Sequence, residues 1–107
     1  LNSSYILVLV TTKDHSEAEK ISLTLLDEKL IACANLITPV VSCFLWQGKV
    51  ERAHECLVVM KSRVDLFEAL AARVRGLHSY EVPEVLALPI VAGSMSYLDW
   101  LDNSLKK

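Results

Sequence analysis

The sequence predicts an α+β sandwich, and three observations predict it. Segments of strand and helix character alternate in the order β-α-β-β-α-β, with a short helix appended, and this is the split-βαβ, ferredoxin-like arrangement of two helices on one four-stranded sheet. The stretch from Ala32 to Lys61, ACANLITPVVSCFLWQGKVERAHECLVVMK, reads as one long β-hairpin folded at Gly48. The runs YILVLV, CLVVM and VLALPIV are apolar at consecutive positions, whereas a sheet with one solvated face alternates apolar and polar residues.

Each element follows from its own residues. Tyr5 to Val10 is a continuous apolar, β-branched run and reads as a strand covered on both faces. Ser16 with Glu19 makes a capping box, with Asp14 as a competing cap; Ala18, Ile21, Leu25 and Leu26 then recur at helical spacing to about Lys29. In the hairpin, Gly48 at the first central position of a two-residue loop is the type II′ signature, which sets Gln47 opposite Val50. Pro39 cannot donate to the ladder and predicts a bulge or an unpaired edge in the first hairpin strand. Ser62 with Asp65 opens a second helix with the stripe Phe67, Leu70, Val74 and Leu77, stopped by Gly76. A loop from His78 to Glu84 leads to the last strand, VLALPIV, and Ser94 caps a terminal helix carrying Tyr97, Leu98, Trp100 and Leu101.

The 107 residues predict one domain, 1–107, large enough to bury a core without disulfides. A formal charge of -2 gives no basic field, which argues against nucleic acid and anionic membrane as partners. The longest apolar run, Val85 to Ala92, is far short of a bilayer span. The opening LNSSYILVLVTTKD lacks the charge and cleavage pattern of a signal peptide. The odd set Cys33, Cys43 and Cys56 reads as free thiols in a reducing compartment. Since a terminal helix can shield only part of so apolar a sheet, the expectation is sheet-to-sheet packing between subunits, the alternative being a monomer closed by that helix.

Several residues are candidates for chemistry. The II′ register places Cys43 opposite His54, near enough to share a soft ion such as Cu(I), although a packed Cys beside a surface His fits the same pattern. Cys33 and Asn35 face one side of their strand and could line a pocket or the core. Lys61, before the cap of helix two, is either a snorkelling lysine or an anion ligand at a helix N-terminus. The loop His78-Ser79-Tyr80-Glu81-Val82-Pro83-Glu84 gathers an imidazole, a phenol and two carboxylates. His78 either caps helix two or ligates a metal; Glu81 and Glu84 either complete a cation site or solubilise the loop. Trp46, near the turn, reads as an interface anchor.

Read together, ACANLI, LWQGKV, VVMKS, LHSYEVPEVLALP and YLDWL resemble, in order and over nearly the whole chain, the CutA family of divalent-cation tolerance proteins. The resemblance implies a ferredoxin-like protomer, a homotrimer with sheets packed inward, cytoplasmic residence, and a role in tolerance to copper or another divalent cation. It implies no agreed reaction. The copper ligands of relatives fall here on Val10 and on Leu77-His78, so only His78 carries over. The family's inter-subunit cleft falls on Cys33, Asn35, Trp46, Lys61, Tyr80, Glu81 and Glu84. The leading expectation is therefore a trimeric metal-tolerance protein. The alternative resembles the PII signalling proteins and would bind a small anionic ligand in the cleft through Lys61, Tyr80 and Glu84; an enzyme using Lys61 or Cys33 ranks below both, because no base, nucleophile and orienting group occur as a set.

Overall fold

The computed structural model describes residues 4–107, and Leu1-Asn2-Ser3 lie outside it. Four strands form one antiparallel sheet in the order β2-β3-β1-β4, with β1 at Tyr5–Thr12, β2 at Cys33–Trp46, β3 at Lys49–Arg63 and β4 at Leu86–Pro89. Helix α1, His15–Asp27, links β1 to β2, helix α2, Phe67–Leu77, links β3 to β4, and α3, Met95–Ser104, closes the chain. This is the expected ferredoxin-like connectivity.

The pleat divides the sheet into two unlike faces. On one, Ile6, Val8 and Val10 of β1 and Cys56, Val58 and Met60 of β3 meet Ala18, Ile21 and Leu25 of α1 and Leu70 and Val74 of α2 in the principal core. On the other, Leu7, Leu9, Leu57 and Val59 are half-buried, and Leu86 and Leu88 of β4 stay 55% and 44% exposed. Helix α3 covers only one end of this open face, where Leu101 and Leu105 pack with Ala32, Tyr5 and Leu66. Arg63 fastens it there: its guanidinium donates to Asp102 at 3.1 Å, to Asp65 at 2.9 Å and to the Lys106 carbonyl at 2.7 Å.

Several local expectations are corrected. Asp14 caps α1, its carboxylate accepting from the Glu17 N–H at 2.8 Å. This wins over the Ser16–Glu19 box because Thr12 Oγ1 donates to the Asp14 carbonyl at 2.7 Å, fixing that residue at the turn. The helix ends at Asp27, short of Lys29, which takes φ 58° to turn the chain into Leu30. Strand β3 continues to Arg63, so Ser62 caps nothing: it is buried, its hydroxyl donating to the Leu30 carbonyl at 2.7 Å. A 3-10 turn, Val64–Leu66, carries the chain into α2. Gly76 lies within α2, which stops where His78 turns to extended backbone. At the other edge of the sheet Leu86–Pro89 of VLALPIV forms β4, and beyond it the Ile90 N–H still donates to the Tyr5 carbonyl at 3.0 Å, so contact with β1 runs one residue past Pro89. Ser94 stands at the N-cap of α3, but its side chain makes no capping bond.

The hairpin departs from expectation in its turn. Trp46 pairs with Lys49, and the two loop residues are Gln47 and Gly48, at φ 52° and 77°. Positive φ at both central positions is the type I′ pattern, whose twist matches the flanking strands. The predicted bulge at Pro39 is present, since the register shifts between Ile37 and Val40.

Candidate functional site

Moving the turn by one residue moves every cross-strand partner by two. Cys43 therefore faces Arg52, and His54 faces Val41. The expected direct thiol–imidazole pair does not form, and Cys43 and His54 stand as diagonal neighbours on an exposed face of the ribbon.

The open face carries two separate constellations. The first is a groove of about 640 Å³ between the outer half of the hairpin and the loop after α2, lined by Thr11, Phe44, Trp46, Glu51, Glu55 and Tyr80 and closed by Glu81, Val82 and Glu84. Cys43 borders it, but strand alternation assigns its side chain to the far side of the ribbon with Arg52. At the floor, the Tyr80 hydroxyl donates to Glu55 Oε2 at 2.6 Å. Burial, then the bond to Glu55 and the charge of that carboxylate, push the phenol well above its ordinary value, so Tyr80 is a lasting donor. Glu84 at the rim is also pushed up, by burial and then by the charge of Glu55. Negative charge on Glu84 is therefore disfavoured where it stands beside Glu55.

His78 organises the loop. Its Nδ1 accepts the Tyr80 N–H at 3.0 Å, which leaves Nε2 as the protonated nitrogen, donating to the Thr11 carbonyl at 2.7 Å. The rings of His78 and Tyr80 lie 4.8 Å apart. With both nitrogens bonded, the imidazole has no free lone pair for a metal unless one bond is given up. Val10, at the other ligand position implied by the resemblance, is fully buried and offers no donor. Among the described residues no group of three or more His, Cys, Asp or Glu converges to hold an ion. A single protomer thus supplies the charge for a cation but not a coordination set.

The second constellation lies farther along β3, about 20 Å from the groove at 3.3 Å per strand residue. Cys33 and Lys61 are cross-strand partners; Lys61 Nζ donates to Asn35 Oδ1 at 3.0 Å and to Cys33 Sγ at 3.5 Å, while the Tyr97 hydroxyl of α3 lies 3.7 Å from the sulfur. Within one chain, then, Trp46, Tyr80, Glu81 and Glu84 come together and Cys33, Asn35 and Lys61 come together, but the two sets do not meet.

Sequence reasoning missed Glu17, Glu51 and Glu55. Glu17 holds the loop by accepting the Ser79 N–H at 2.8 Å. Burial opposes its ionisation, but bonds from Ser79 and Lys13 and the nearby His78 together keep its carboxyl below the ordinary range. Glu55 had a signal, a carboxylate two positions before the consecutive apolar run Leu57-Val58-Val59-Met60 on a strand; Glu51 had none beyond its closeness to the turn.

The chain matches the family model described as CutA1 divalent ion tolerance protein over residues 6–104. It is 42% identical over 94 residues to the divalent-cation tolerance protein CutA of Thermus thermophilus, covering 88% of this chain and 91% of that one. A rice relative named chloroplastic CutA 1 is 39% identical over 95% of this chain, which spans only 58% of that protein's length. The crystal structure of CutA1 from Oryza sativa superposes with a TM-score of 0.95 at 38% identity, covering 98% and 96% of the two chains. These matches favour divalent ion tolerance over the PII-like alternative. Because one of these relatives is named chloroplastic, residence in the cytoplasm does not follow from the likeness.

Proposed function

Because this chain belongs to the CutA1 divalent ion tolerance family, we propose that it serves tolerance to copper or another divalent cation as a homotrimer, taking the ion up where subunits meet. The observation that carries this reading is the crowded groove. Glu84 is held above its ordinary range by burial and by Glu55, and a cation in the groove, which Glu51 and Glu81 also line, would offset that penalty on the Glu84 charge.

One protomer lacks a full ligand set, so a neighbouring chain completes it. The open face supports such a neighbour: Leu86 and Leu88, and Phe44 and Trp46 on the projecting hairpin, are all exposed, and like chains can cover this surface jointly. Packing of that kind would also bring the Lys61 cluster of one subunit toward the groove of the next, joining the two halves of the cleft. Carboxylates then form the first ligand set, and His78 joins only by releasing Tyr80 or Thr11.

Calorimetric titration of the assembled protein with Cu(II) and Zn(II) tests the reading. Heat of binding is expected in the wild type, abolished in Glu81→Gln/Glu84→Gln and retained in His78→Ala. Loss in His78→Ala alone would move the ion to the imidazole. Absence of heat in the assembled wild type would end the proposal.

A further inference from the structure

The Lys61 cluster carries chemistry that cation binding does not use. We propose that Cys33 and Lys61 form an oxidation-driven covalent cross-link, with a peroxide as oxidant and the Cys33 sulfur bonded to Lys61 Nζ as product.

Three features of the fold select this pair. Cys33 and Lys61 are directly opposed in the β2–β3 ladder, so two rigid strands hold the nucleophile and the amine in register. Asn35 Oδ1 fixes Lys61 Nζ at 3.0 Å, leaving it 3.5 Å from the sulfur. Being half-buried, Cys33 is reachable by a small oxidant yet shielded from a second protein thiol.

The other two thiols lack this combination. Cys56 is fully buried on the helix-covered face, and burial pushes its thiol up. Cys43 is exposed, but the cross-strand partner it faces is Arg52, whose delocalised guanidinium is no match for an amine as a nucleophile. A disulfide to Cys33 is also excluded within the chain, since Cys43 lies far out on the hairpin and Cys56 on the opposite face of the sheet from Cys33.

The chemistry closes in two steps. First the Cys33 sulfur attacks one peroxide oxygen: an S–O bond forms, the O–O bond breaks, and the thiol proton leaves with the departing hydroxide as water. The Lys61 ammonium, already a donor to the sulfur, stabilises the charge that develops in this displacement. In the second step Lys61, having released a proton to solvent, attacks the sulfenic sulfur as an amine. An S–N bond forms, the S–O bond breaks, and the hydroxide departs as water with a proton from the amine. Sulfur is oxidised, peroxide is reduced, and the chain loses two hydrogen atoms. The bridge removes the Lys61 charge from the open face and ties β2 to β3. An added thiol reverses it by attacking the sulfur and releasing the amine.

The test is peroxide treatment of the full chain in a Cys43→Ser background, read by intact mass and peptide mapping. The expected product is lighter by two hydrogen atoms, joins the peptides containing Cys33 and Lys61, resists trypsin at Lys61, and reverts with dithiothreitol. With Lys61→Arg the bridge is lost and a sulfenic acid at Cys33 becomes trappable by dimedone. That variant keeps the cation, so retained trapping shows that the site still folds and oxidises. Equal dimedone labelling of Cys33 with and without Lys61, and no joined peptide, would overturn the proposal, as would oxidation of Cys33 no faster than that of Cys56.

Discussion

The two faces of the sheet use the same kinds of residue for different ends. Along β1, Ile6, Val8 and Val10 vanish beneath two helices while Leu7 and Leu9 between them reach a surface that the protomer leaves half-open. One face therefore stabilises the single chain, and the other is apolar surface whose burial requires something beyond it. A substitution should consequently act on folding or on assembly according to the parity of its position along the strand.

The largest separation of the two faces comes from the covered one. Met60→Ala leaves a cavity between the sheet and both helices, and we expect a loss of about 2–5 kcal/mol in denaturant unfolding, independent of protein concentration. A concentration-dependent loss would blur the distinction. Next is the end of the open face that α3 covers. Arg63→Ala removes the bonds that hold Asp102 and the Lys106 carbonyl and should cost about 1 kcal/mol, because both acceptors regain water, with faster proteolysis in the terminal helix as its signature. On the uncovered part, Leu86→Ser/Leu88→Ser should dissociate the assembly in sedimentation while altering unfolding of the separated protomer by less than about 1 kcal/mol, because both side chains are already wet there.

The smallest effect concerns the groove. Glu84 is raised in the folded chain, so it binds its proton more tightly folded than unfolded. The stability it contributes is complete below its ordinary value of 4.5 and is lost as pH rises through the raised one. Glu84→Gln should remove that decline, worth well under about 1 kcal/mol because the side chain is exposed at the rim. Thermal unfolding across this pH range, with and without a divalent cation, reads it. The cation should flatten the wild-type slope and leave the variant unchanged.

The framework was legible because local signals and burial agreed. Consecutive apolar runs gave the strands, the stripe on α2 gave its packed side, and Pro39 gave the bulge by its missing N–H. What was not legible depended on contacts between distant residues. Ser62 looked like a cap because Asp65 follows three places on, yet a hydrogen bond to Leu30, far away in sequence, kept it in the strand. The turn was displaced because Gln47 takes a positive φ, which a sequence assigns to glycine first. That single displacement separated Cys43 from His54. The candidate site was legible in its loop, His78 to Glu84, but not in the carboxylates that face it: Glu51 and Glu55 arrive from the hairpin only once the register is known.

Closure of the open face by copies of this chain is what joins the groove to the rest of the molecule. Size-exclusion chromatography with light scattering at micromolar concentration measures it directly. A species of about 36 kDa, three times the 11.9 kDa protomer, is expected; a stable species of 11.9 kDa with an unchanged fold would rule out that closure.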